Sequence, residues 1–152
     1  MTPADSVVQR QDAILSLDKQ GPLSNLRILD VTTFLSGPYC TQILADNGAE
    51  VFVCDVAEDH LQALASARAD IGAVAADVSQ SVDVERLFDA AVAAMGGVDV
   101  LINNAGIAGP TKRVEEISDE EWRATLGVDV DGQFYCARRA VPLMREAGKG
   151  AI

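Results

Sequence analysis

Val98-Asp99-Val100-Leu101-Ile102-Asn103-Asn104-Ala105-Gly106 is the stretch on which the fold turns. A mostly apolar run passes at Asn103 into small and polar residues, as a buried strand does where it meets its loop. Just upstream, Gly96-Gly97 closes an apolar stripe of Val84, Leu87, Phe88, Ala91, Val92 and Met95, spaced i, i+3, i+4, i+7, i+8, i+11, which predicts a helix. Further upstream, strands are expected at Ile71–Ala76, Glu50–Asp55 and Arg27–Val31. They alternate with helices from Glu58 to Ala67 and from Pro38 to about Asn47. Strand–helix alternation of this kind builds a parallel sheet covered on both faces.

The bulk numbers agree with a single α/β domain. The chain has 152 residues, 49% hydrophobic and 23% charged, which is ordinary globular composition. Its net charge of −11 argues against a nucleic-acid partner, whose phosphates call for a basic face. No apolar run is long enough for a membrane span, and no charged-then-apolar leader precedes the first strand, so a cytoplasmic protein is expected. Cys40, Cys54 and Cys136 show no metal or redox spacing and read as buried free thiols, with no metal site expected. The single histidine, His60, reads as a solvated residue at a helix start.

Residues 1–20 are polar, end at Gly21-Pro22 and read as an appendage; 21–152 form the domain. Beyond Gly106, Ser118-Asp-Glu-Glu121 is a capping box. It opens a long helix bearing Trp122, Leu126, Val130 and Phe134, with Gly132 and Pro142 as possible kinks. Ordinary packing on the sheet is the expectation for at least two of Trp122, Leu126 and Phe134. Gly148-Lys-Gly150 ends the helix, and Ala151-Ile152 looks like the opening of a fifth strand.

With the strand ending at Asp55 and the pair Asp77-Val78, Asn103-Asn104-Ala105-Gly106 resembles the short-chain dehydrogenase/reductase family, from about Ala49 onward. The resemblance implies a Rossmann-like three-layer sandwich with a parallel sheet of order 3-2-1-4 and an incomplete fifth strand. It implies NAD as cofactor, because Asp55 closes strand two where an acid accepts both ribose hydroxyls and would repel a 2′-phosphate. The other reading of Asp55 is a polar residue that merely ends a strand. Asp77 is implied to reach the adenine amino group and Val78 to pack on the ring; equally, Asp77 can turn the chain into the helix near Ser81. Asn104, Ala105 and Gly106 line the mouth, where small residues let a cofactor pass close to the backbone. Gly127-Val-Asp-Val-Asp-Gly-Gln-Phe134 matches the segment that normally carries a catalytic asparagine, and Asp129 stands at that position. An ionised aspartate only accepts where asparagine also donates; a solvated helix acid is the alternative.

Two features of that family's chemistry are missing. Its first loop should read Thr-Gly-x-x-x-Gly-x-Gly, presenting amides to a pyrophosphate. Here Thr32-Thr-Phe-Leu-Ser-Gly-Pro38 offers only Gly37, so NAD binding is expected to be weak or lost. A catalytic Tyr-x-x-x-Lys does not occur: Tyr39 and Tyr135 are the only tyrosines, and neither has a lysine four residues on. Turnover by this chain alone is not expected.

The replaced loop carries its own likeness. Residues 21–51, with Leu29-Asp-Val-Thr32, Ser36-Gly-Pro-Tyr39 and Leu44-Ala-Asp-Asn-Gly-Ala-Glu-Val51, resemble the N-terminus of family III CoA-transferases. That resemblance implies a strand–turn–helix unit whose turn, around Leu35 to Gly37, lies by a CoA thioester. CoA is therefore a second candidate ligand, and a chimeric or designed unit a second origin. A third reading is an assembly subunit. The long helix after Ser118 resembles the one through which such dehydrogenases dimerise, and the outer strand leaves an open edge, so a homo-oligomer is expected.

Overall fold

The computed structural model describes residues 21–32 and 36–152. The expected appendage at 1–20 and positions 33–35 of the first loop lie outside the described residues. Four strands form one parallel sheet: β1 (Arg27–Thr32), β2 (Glu50–Asp55), β3 (Ile71–Ala75) and β4 (Val100–Asn104), in the order β3-β2-β1-β4. This is the Rossmann-like arrangement expected from the sequence. Ala151 forms an isolated parallel bridge with Val100, at the point where a fifth strand was expected to open.

Helices α1 (Ser36–Asp46) and α2 (Glu58–Ala67) cover one face of the sheet, and α3 (Ser81–Met95) and α5 (Gln133–Ala147) the other. The strands alternate to suit, since successive side chains point to opposite faces. Leu29 and Val31 of β1 and Phe52 of β2 face α3 and α5, where they join Leu87, Phe88, Cys136 and Ala140. Ile28, Val51 and Ile71 face the other way, with Ala45 and Ala49.

The ends of the elements follow local chemistry. Helix α1 begins at Ser36, so Pro38 is its third residue rather than its first. Its missing N–H costs nothing there either, because no amide of a first turn has an intrahelical partner. Gly48, at φ +96°, turns the chain into β2, and Gly96, at φ +73°, caps α3. The Ser118 capping box opens α4 (Asp119–Leu126) as expected.

The long helix does differ from its expectation. Between α4 and α5 lies a π-helical turn, Gly127–Gly132. Gly132 packs against Val78 in the loop after β3, where a Cβ would meet Val78 Cγ2 at 3.0 Å and the Val78 carbonyl oxygen at 3.1 Å. Only a residue without a side chain lets the helix approach this closely. Packing of the two aromatic residues also departs from expectation: Trp122 and Phe134 are each 57% exposed. Cys54 and Cys136 are buried, but Cys40 is exposed, because Thr41 and Ala45 form the buried side of α1.

Candidate functional site

Parallel α/β sheets bind ligands at the carboxyl ends of their strands, where the loops diverge. Here that edge gathers Thr32 of β1, Asp55 of β2, Asp77-Val78 after β3, and Asn103 to Gly106 of β4 and its loop. Register brings Thr32 beside Asn104, and Asp55 beside Ala75.

Asp55 is partly exposed, and both its oxygens are engaged. Oδ1 accepts from the Ala57 amide at 2.9 Å, and Oδ2 lies 3.0 Å from His60 Nδ1. Hydrogen bonding to Asp55, followed by its charge, raises the His60 pKa above the ordinary imidazole value. His60 is thus a solvated residue in the first turn of α2, as expected, and also the clamp on Asp55. Each oxygen of Asp55 keeps a second lone pair for a ligand hydroxyl.

Asp77 spends Oδ1 on the Ser79 amide at 2.9 Å, while its own amide donates to Asp83 Oδ2 at 3.0 Å. It turns the chain into α3, which was one of its two readings. Val78 is only 7% exposed and lies in the core against Gly132, so little of its side chain is left for a ring to cover.

Asn103 ties the sheet to the helix layer. Its Nδ2 donates to the Gln133 carbonyl at 2.9 Å, just beyond the π turn. Asn104 is exposed at the mouth and Ala105 is buried. Asp129 sits in the π turn, and its Oδ1 accepts from the Ile107 amide at 2.8 Å. A Cβ on Gly106 would stand 3.4 Å from that same oxygen, an ordinary contact. Asp129 and the Asn104-Ala105-Gly106 turn therefore form one unit, with the acid holding the loop that follows β4. A helix acid facing only solvent does not describe it. Gly37 is the second residue of α1, beyond the phosphate-loop positions outside the described residues.

A family model described as enoyl-(acyl carrier protein) reductase matches residues 37–152. Cis-4-hydroxycyclohexanecarboxylate dehydrogenase of Sinomonas cyclohexanicum is 38% identical over 119 residues, 76% of this chain and 48% of the relative. The chain belongs to the short-chain dehydrogenase/reductase family.

Other members agree. The 2-dehydro-3-deoxy-L-rhamnonate dehydrogenase (NAD(+)) of a Sphingomonas species is 40% identical over 114 residues, 73% of this chain and 44% of that one. Among solved structures, 3-ketoacyl-(acyl-carrier-protein) reductase from Brucella melitensis complexed with NADH superposes with a TM-score of 0.72 at 30% identity. The match covers 80% of this chain and 52% of that one. The chain spans about half the length of the curated relatives it matches. Among the described residues of this short-chain dehydrogenase/reductase, no His/Cys/Asp/Glu group is arranged to hold a metal, and no helix is long and apolar enough to cross a membrane.

Sequence reasoning missed two parts of this family member's site region. One is the π turn, flagged only by the glycines at its two ends. The other is Asp30, an acid in the middle of the otherwise apolar β1, which is 2% exposed. Its position in the strand was the available signal.

Proposed function

We propose that this chain is the nucleotide-binding half of a short-chain oxidoreductase, with weak affinity for NAD(H) and no turnover by itself. The observation that carries this is Asp55, presented at the carboxyl end of β2 beside a mouth built of Asn104, Ala105 and Gly106. A carboxylate there suits two ribose hydroxyls and opposes a 2′-phosphate, which supports NAD over NADP. Gly106 adds no side chain to the mouth, and Asp129 holds the following loop in place through the Ile107 amide. Weak affinity follows from the first loop, where Phe34 and Leu35 stand in place of close-approach glycines. The lack of turnover rests on chemistry: no Tyr-x-x-x-Lys occurs to protonate a carbonyl oxygen.

Titration calorimetry tests the proposal. NADH should bind with a Kd of roughly 0.1–1 mM, about −4 to −5.5 kcal/mol, with NADPH at least about tenfold weaker. Sub-micromolar NADPH binding would sink it, as would reduction of ordinary ketones above background.

A second reading has its own support: the family match begins at Gly37, so β1 and the first loop lie outside the matched segment. Residues 21–36 of the CoA-transferase-like stretch lie there, whereas its residues 37–51 fall inside the family match, so a chimeric first unit with CoA affinity rests on the first segment alone. Acetyl-CoA in the same calorimeter separates the two readings. On the α4–α5 face, exposed Trp122, Val130 and Phe134 support association with a second copy, by analogy with the family's dimers. Concentration-dependent sedimentation would reveal it.

A further inference from the structure

A cavity of about 620 Å3 lies between the sheet and helices α1 and α2. Its size is that of a small-molecule site. It runs from Asp55 and His60 beside the end of β2 to Arg68 and Ile71 near the start of β3, with Leu61 and Leu64 of α2 in its wall. Asp30 and Thr41 face it from the strand and from α1.

These two polar residues are unlike the rest of the lining. Asp30 is 2% exposed and Thr41 is 3% exposed. Asp30 shares a side-chain hydrogen bond with Thr32, yet its Oδ1 has no partner among the described residues, and neither has Thr41 Oγ1. Buried oxygens in this state cost free energy until something donates to them.

The charges around the cavity indicate what that something is. His60 is paired with Asp55, and Arg68 with Asp46 and Asp70, so both cations near the cavity are already taken. Asp30 is the lining carboxylate with no cation beside it among the described residues. Burial raises its pKa to about 6, so it is ionised in neutral solution and ready for a positive donor.

We propose that this cavity is a binding site for a small organic cation, an amidinium or primary ammonium carried on an apolar one- or two-ring body. The cationic head donates to Asp30 Oδ1 and Thr41 Oγ1, and the body lies along Leu61, Leu64 and Ile71. Charge-assisted hydrogen bonds of this kind are about twice as strong as neutral ones. Asp55 at one end of this cavity is shared with the proposed dinucleotide site, whereas the donor-seeking atoms belong to Asp30 on β1 and Thr41 on α1, which that reading does not use.

Benzamidine, benzamide and benzoate have similar shapes and differ in charge, so they serve as probes. Amide-resolved NMR titration of the whole chain should show benzamidine binding at least about tenfold more tightly than benzamide, with benzoate not binding. Shifts should cluster at Asp30, Thr41 and Leu64. Asp30→Asn should reduce benzamidine affinity to the level of benzamide, and Thr41→Val should weaken it several-fold. Glu120→Gln, on an exposed turn of α4, should change nothing. Absence of benzamidine binding, equal binding by Asp30→Asn, or equal losses in Asp30→Asn and Glu120→Gln would each overturn the proposal, the last by showing attraction to net charge alone.

Discussion

The two faces of the sheet are built from the same strands and packed in different ways. Toward α3 and α5, eighteen buried apolar side chains form one cluster among the described residues. Toward α1 and α2 the corresponding cluster holds five among the described residues, with Leu44, Val53, Leu64 and Ile102 partly buried against it; α2 buries no residue, and the cavity around Asp30 lies on this face. The first face carries the load of the fold. Among the described residues the second holds a cavity and the buried polar groups of Asp30 and Thr41, which cost stability and leave room for a ligand.

Core truncation should expose the contrast most strongly. Phe88 is fully buried, and Phe88→Ala should cost about 3–5 kcal/mol in urea unfolding. Leu64 is only half-buried at the cavity wall, and Leu64→Ala should cost about 1 kcal/mol. Equal losses would mean that the two faces are equally packed.

Two buried aspartates sharpen the comparison, because they respond to pH in opposite ways. Asp99, before β4, accepts from the Arg27 amide at 3.1 Å and from Arg27 Nε and Nη2 at 2.8 Å, with Lys149 Nζ 3.1 Å away. These bonds hold its pKa well below the usual carboxylate range. Its stabilising contribution is therefore full above that range and is lost as pH falls below it. Arg27→Met, which leaves the carboxylate without its main partner, should cost about 2–4 kcal/mol at pH 7.

Asp30 has the opposite sign. Its folded-state pKa of about 6 lies above the unfolded value, so the folded state holds the proton more tightly. Stability contributed by this residue is greatest below about pH 4 and declines as pH rises to about 6. Asp30→Asn should recover about 1–3 kcal/mol at pH 7 and flatten that slope. Urea unfolding from pH 3 to 8 measures both effects; a flat wild-type profile between pH 4 and 6 would contradict the assignment of Asp30.

The smallest effect is expected at Asp129. Asp129→Asn keeps the acceptor for the Ile107 amide, so stability should move by less than about 0.5 kcal/mol. NADH affinity should improve a few-fold as a carboxyl group leaves the mouth. A large loss of stability would show that the charge itself holds the turn.

The fold was legible in the sequence because its signals are local. The apolar stripe ending at Gly96, the Ser118 capping box and the alternating strands each specify their element without help from distant residues. The strand that ends at Asp55 was legible for the same reason. What could not be read depends on contacts across layers. The π turn arises where Gly132 meets Val78, 54 positions apart in the chain. The cavity is equally non-local, since β1 and α1 must be set side by side before Asp30 and Thr41 are seen to share it.

The most direct test of the functional account is an NMR titration of the chain with NADH, repeated on Asp55→Ala. The account predicts fast-exchange shifts at Asp55, Asn104, Ala105 and Gly106, saturating at roughly 0.1–1 mM, and their loss in the variant. Unchanged spectra with NADH, together with acetyl-CoA shifts around Ser36 and Gly37, would contradict it and move the ligand site to the first turn.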